Sequence, residues 1–123
     1  MNNENNDNLS LIEIRNKLRK FASDREWDQF HTPRNLLLAL VGEVGELSEI
    51  FQWKGEVKDT SEFSDKEKEH LGEELSDVLL YLIRLSDKCN INLSNAVLDK
   101  IKKNGDKYPV ELSKSSAKKY NDL

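Results

Sequence analysis

The stretch Val41-Gly-Glu-Val-Gly-Glu-Leu-Ser-Glu-Ile-Phe-Gln-Trp53 sets carboxylates at Glu43 and Glu46 inside an otherwise apolar helical pattern. Leu36 to Val41 leads in, Val44 and Leu47 lie beside the acids, and Ile50, Phe51 and Trp53 follow, so most of the segment reads as buried. A buried carboxylate is costly unless it is paired or bound to metal. The rest of the chain must supply what these two acids lack. Thr32-Pro33 is an N-cap followed by proline at the first helical position, and the helix it opens is expected to run to about Gln52 or Trp53. Gly42 and Gly45 each cost about 1 kcal/mol relative to Ala in a helix interior. Their presence predicts close approach by another helix or a ligand.

Working outward, Ser10 and Glu13 have capping-box spacing, and Leu11, Ile14, Leu18 and Phe21 recur at helical period, which predicts a helix over Leu11 to Asp24. A linker with two aromatics and a histidine, Arg25 to His31, has no clear period. Beyond the polar loop Lys54 to Phe63, Ser64 and Glu67 form a second capping box and open a helix to about Lys88. Its second half carries Leu71, Leu75, Val78, Leu79, Leu82, Ile83 and Leu85 as a broad apolar face. A shorter helix, Leu93 to Asp106, buries Ala96, Val97 and Ile101, and Gly105 and Pro109 mark its end. No strand-like alternation and no internal repeat occurs, so the expected fold is all-α, a bundle of four helices. The expected organisation is a disordered N-terminal segment over residues 1–9, rich in Asn, one domain over 10–110, and a polar, non-helical C-terminal tail over 111–123.

The chain has 123 residues and a net charge of −4. That is one domain, small for a pocket closed by a single subunit, and two long helices with apolar residues on several sides predict self-association. No block of Lys and Arg is long enough for a nucleic-acid groove or a membrane surface. The longest apolar run, Leu36 to Val41, is far too short to span a bilayer, and the N-terminus lacks the pattern of a signal peptide. A cytoplasmic or nuclear location is expected. Cys89 is alone, which excludes an intrachain disulfide, and it is expected in the core.

Residues three apart on a helix share a side, with Cβ atoms roughly 5–6 Å apart. Glu43 with Glu46, and Glu74 with Asp77, are two such carboxylate pairs. The spacing alone says little, because Glu46 with Glu49, Glu56 with Asp59, and Glu62 with Asp65 share it in solvated surroundings. The two chosen pairs differ in having apolar neighbours, and antiparallel packing of their helices would gather four acids in a partly dry place. Four like charges repel unless cations neutralise them, and hard oxygen ligands without His or Cys suit Mg2+, with Mn2+ as a substitute. Magnesium commonly bridges carboxylates to phosphates, which points to a phosphate-bearing substrate. Glu67-x-x-His70 is half of a di-iron pattern that needs a second copy, and it reads as surface.

Glu43-x-x-Glu46, twenty-seven residues, then Glu74-x-x-Asp77 resembles the metal-binding pattern of the all-α nucleoside triphosphate pyrophosphohydrolases, the MazG-like and dimeric dUTPase superfamily. The blocks Trp27 to Leu47, Phe51-Gln-Trp53, Glu73-Glu-Leu-Ser-Asp-Val78, Lys107-Tyr-Pro-Val110 and Lys119-Tyr-Asn-Asp-Leu123 are similar to the branch acting on dCTP. The resemblance runs from Ser10 to Leu123. It implies hydrolysis of dCTP and its 5-modified forms to the monophosphate and pyrophosphate, by a homotetramer or dimer of dimers. It also implies Mg2+ on Glu43, Glu46, Glu74 and Asp77, and substrate contacts from Trp27, Asp28, Gln29, Phe30, His31, Trp53 and Tyr81. Lys100 and Asn104, four apart near the end of the last helix, match positions near the phosphates or sugar. Leu18 departs from the pattern, standing where a base-contacting histidine is expected.

The residue types suit these roles. Magnesium on the acids would neutralise the triphosphate and acidify water, and Glu46 is the expected general base. Trp27 and Trp53 have the faces to sandwich a base, against the plainer reading of each as a core aromatic. Tyr81 lies four residues after Asp77 and so reaches the same side. Two other readings stand beside this one: the same chemistry on dUTP or on dNTPs broadly, and a non-catalytic helical interaction protein with a structural ion.

Overall fold

A computed structural model of the chain describes residues 8–114. It forms α1 (Leu11–Asp24), a 3₁₀ turn (Asp28–Phe30), α2 (Pro33–Gln52), α3 (Asp65–Lys88), α4 (Leu93–Lys107) and α5 (Val110–Ser113), with no strand among the described residues. Most of the N-terminal segment read as disordered, and the last part of the tail with Lys118 to Leu123, lie outside the described residues.

The helix starts follow their caps. Thr32 Oγ1 accepts the Asn35 N–H at 3.2 Å ahead of Pro33. At Ser64 the capping box is complete: its hydroxyl accepts the Glu67 N–H at 3.1 Å and its own N–H donates to Glu67 Oε1 at 3.0 Å. At Ser10 only half of it forms, because Glu13 takes the Ser10 hydroxyl proton rather than a backbone N–H. After α1, Glu26 adopts a left-handed φ of 55° and the Trp27 N–H returns to Ala22 O at 2.8 Å. That reversal carries the linker back across the helix end.

The chain divides into two compact units, Met1–Asn90 and Ile91–Leu123. In the first, α2 packs principally on α3, and α1 lies against α3. Ala22, Leu36, Phe63 and Ile83 are its buried apolar residues, one or more from each of the three helices and from the loop before α3. The Phe51 and Phe63 rings meet at 6.0 Å, and Lys54 bonds Glu67 Oε2 at 2.6 Å, so the loop 54–63 is tied to the start of α3. In the second unit, Asn92 caps α4, which continues through Gly105 to Lys107.

Four expectations are corrected. Ala96, Val97 and Ile101, expected to be buried on α4, are exposed among the described residues. A Cβ added at Gly42 or Gly45 would meet nothing within 4 Å, so no other helix among the described residues approaches either glycine. α3 covers one side of α2 and leaves others open: Leu38, Val41 and Val44 are about half exposed or more. Cys89 is exposed rather than buried, because it is the C-cap of α3, where the chain turns through Asn90 at a φ of 58°. Val110–Ser113, read as non-helical tail, is a short helix whose first carbonyl partner is Pro109 O, bonded by Ser113 N–H at 2.9 Å. No helix among the described residues is long and apolar enough to cross a membrane.

Truncating one of the two large fully buried side chains, Ile83→Ala, should cost about 2–5 kcal/mol in denaturant unfolding. Gly42→Ala should instead gain about 1 kcal/mol in the single chain, given the open space around it. A loss on Gly42→Ala would show that another copy packs on that side of α2.

Candidate active site

The helical period of α2 and the packing of α2 on α3 bring Glu43 and Glu46 against Glu74, and one oxygen from each lies within 4.8 Å of the others. Glu43 Oε2 and Glu74 Oε2 are buried and accept no hydrogen bond. Burial, then the charges of Glu46 and Asp77, hold the Glu43 carboxyl above its ordinary range. Asp77 stands one helical turn further along α3, outside the tight trio but near enough to act on Glu43 through its charge. His70, which sequence read as plain surface, places Nε2 3.3 Å from Glu74 Oε1 at the rim of the cluster. Two orphaned buried carboxylate oxygens among like charges are what a hard divalent cation would satisfy, and the all-oxygen set suits Mg2+ or Mn2+.

Two cavities flank the acids. Leu18, Trp27, His31, Leu36, Asp77, Tyr81 and Arg84 line one of about 350 Å³. Its walls are mainly apolar, and Trp27 is braced edge-on by Phe21 at 5.7 Å between ring centroids. Leu18 therefore sits on the cavity wall, an apolar side chain where a histidine was expected. The other is a groove of about 740 Å³ lined by Glu46, Glu74, His70 and Trp53, with Trp53 84% exposed. The two tryptophans expected to sandwich one base thus line different cavities. Trp27 belongs to the linker before α2, and Trp53 is the C-cap of α2.

Of the linker residues, Trp27 and His31 reach the first cavity. Asp28 accepts from Arg84 Nη2 at 2.6 Å and from Lys88 Nζ at 3.2 Å. Lys88 and Arg84 together hold its carboxyl below the ordinary range. Gln29 Nε2 donates to Glu26 O at 3.0 Å, and Phe30 is 60% exposed while its carbonyl accepts from Asn35. Lys100 and Asn104 lie on α4 in the second unit, four residues apart and both exposed.

Sequence reading missed Arg84, which is 5% exposed and the buried charged residue of the described chain. Its Nε donates to His31 Nδ1 at 3.0 Å, while Arg19 grips Asp87, a neighbour of Arg84, with two bonds of 2.6 and 2.7 Å. The available signal was a lone cation in the apolar run Leu79-Leu80-Tyr81-Leu82-Ile83-Arg84-Leu85.

Fold and site together define an all-α protein whose carboxylate cluster suits a divalent cation and whose adjoining cavity suits a small planar group. The MazG-like family model matches residues 39–123, and the chain belongs to that family. It is 52% identical over 115 residues to rat dCTP pyrophosphatase 1, covering 93% of this chain and 68% of the relative. The human protein of that name is 50% identical over the same shares. A crystal structure of a pyrophosphatase from Archaeoglobus fulgidus superposes with a TM-score of 0.73 at 38% identity, covering 89% of this chain and 98% of that one.

Divalent cation should raise the unfolding temperature, by about 2.7 kcal/mol of added stability at a concentration 100 times Kd. Because the folded pKa of Glu43 lies above its unfolded value near 4.5, its contribution is fully present below that value and is lost as pH rises through the folded pKa. Glu43→Gln should therefore stabilise the metal-free protein at neutral pH and remove most of the response to Mg2+ in a thermal melt.

Proposed function

We propose that this chain is a nucleoside triphosphate pyrophosphohydrolase that hydrolyses dCTP, and 5-modified dCTP, to the monophosphate and pyrophosphate. The observation that carries the reading is the meeting of Glu43, Glu46 and Glu74, with two buried unpartnered oxygens, beside a cavity walled by Trp27, His31 and Tyr81. The relatives named dCTP pyrophosphatase 1 support the substrate.

Glu43, Glu46, Glu74 and Asp77 would hold Mg2+, with Mn2+ as a substitute. Bound there, the ion supplies neutralisation of the triphosphate and of the charge developing on the leaving pyrophosphate, and lowers the pKa of the attacking water. Glu46 is the most exposed of the three clustered acids and lines the open groove, so its carboxylate takes the proton from that water. Water adds its oxygen, the bond linking the first phosphate to the other two breaks, and dCMP and pyrophosphate leave. Trp27 and Tyr81 offer aromatic surface to the base, and Leu18 adds apolar wall. Asp28 holds the linker, and Gln29 and Phe30 complete the substrate-binding segment. Lys100 and Asn104 offer a cation and an amide for phosphate and sugar.

The assembly in this reading is a homotetramer, and two features support self-association. Trp27 and Trp53 line different cavities in one chain, so stacking a base between them needs Trp53 from a neighbouring copy. Leu37, Val41 and Val44, at i, i+4 and i+7 on α2, form an apolar stripe exposed in the single chain. The expected location is cytoplasmic, on the sequence grounds given above.

With Mg2+, purified protein should release pyrophosphate from dCTP and 5-methyl-dCTP faster than from dUTP or dTTP. Glu46→Gln should lower kcat by about 100-fold or more. Release from none of the common dNTPs would overturn the function, and a uniform rate across the panel would replace dCTP selectivity with general dNTP cleaning.

A further inference from the structure

The linker histidine and the buried arginine form a pair whose chemistry is more constrained than their proximity alone. A guanidinium carries five N–H donors, has no acceptor, and stays protonated in proteins. Arg84 Nε lies 3.0 Å from His31 Nδ1. Nδ1 must therefore present its lone pair, and a neutral imidazole then carries its proton on Nε2. No described residue bonds Nε2, and the ring lines the 350 Å³ cavity together with Trp27, Tyr81 and Asp77.

Building on the dCTP reading above, we propose that Arg84 is a positioning residue for base recognition: it fixes His31 as the Nε2–H tautomer, so that the pocket offers a hydrogen-bond donor to an acceptor on the base edge. Cytosine presents O2 and N3 as such acceptors. The same guanidinium donates to Asp28 at 2.6 Å and approaches Asp87 at 3.5 Å, while Lys88 also bonds Asp28. One buried cation thereby holds the linker to α3 and sets the hydrogen-bonding sense of the histidine within it.

The neutral state is favoured by the surroundings. Burial, then the charge of Arg84, push His31 below its ordinary value, with Lys88 acting the same way. Asp28 on the 3₁₀ turn acts in the opposite sense, but Arg84 and Lys88 already claim its carboxylate. Asp77 and Tyr81 on α3 are the other ionisable groups lining the cavity with His31 and Arg84.

The first test needs no substrate. Nitrogen-15 NMR of the wild-type protein should show His31 protonated at Nε2, with a pKa below the ordinary 6.5 of the free side chain. Protonation at Nδ1 would overturn the proposal. Arg84→Met should release the tautomer to a mixture, raise the His31 pKa, and increase KM for dCTP by about 10-fold while changing kcat far less. Asp87→Asn removes the partner of Arg19 and weakens the same ionic cluster without touching the Arg84 to His31 bond. It should lower stability and leave tautomer and KM unchanged. A KM increase in Asp87→Asn equal to that in Arg84→Met would reduce Arg84 to a structural brace and defeat the proposal. Absence of dNTP turnover would defeat the enzymatic reading alone, because the NMR result on wild-type protein decides the tautomer by itself.

Discussion

Mutual repulsion among the acids of α2 and α3 is the constraint on which the site depends. Glu43 and Glu74 each turn one buried oxygen toward a place where no described donor answers it. Helix packing could have placed apolar side chains there at lower cost, since burying an unpaired charge is expensive. The fold instead holds the carboxylates together, and burial with the neighbouring charges drives Glu43 toward its protonated form. Such a cluster is tense without a cation and quiet with one. That asymmetry is why the three clustered acids suit a divalent ion.

A second set of charges is arranged in the opposite way. Arg84 is buried, but Asp28, Asp87 and His31 all face it, and Arg19 and Lys88 share the two aspartates. This network is satisfied inside the protein, so its effect is to fix geometry rather than to invite a ligand. It joins α1, the 3₁₀ turn and α3 around the apolar cavity. Asp77 lies between the two systems, acting on Glu43 by its charge and lining the cavity beside Tyr81. Two electrostatic regimes thus lie side by side, one unsatisfied and one closed.

The distribution of apolar surface leaves faces of this unit uncovered. α2 packs on α3 along one side, while Leu38, Val41 and Val44 remain exposed and Gly42 and Gly45 face open space. Trp53 stands almost fully exposed at the end of α2. Each of these is a cost in an isolated chain and an asset where a second copy covers it.

Sequence by itself determined the helices and the acids. Thr32-Pro33 and Ser64 with Glu67 placed helix starts because capping is local chemistry, and the period of Leu71 to Leu85 marked α3 because burial follows the helical repeat. Glu43, Glu46 and Glu74 were legible as a set because carboxylates among apolar neighbours have few explanations. Only the tertiary structure decided what lies across from what. Arg84 looked like one cation in an apolar run until Asp28, fifty-six residues earlier, was found against it. The two tryptophans looked like one clamp, and the fold places them on the walls of different cavities. Cys89 looked like core until the end of α3 turned it outward. Local spacing fixes which side of a helix a residue occupies, whereas partners distant in sequence are set by how helices pack, and no single segment carries that information.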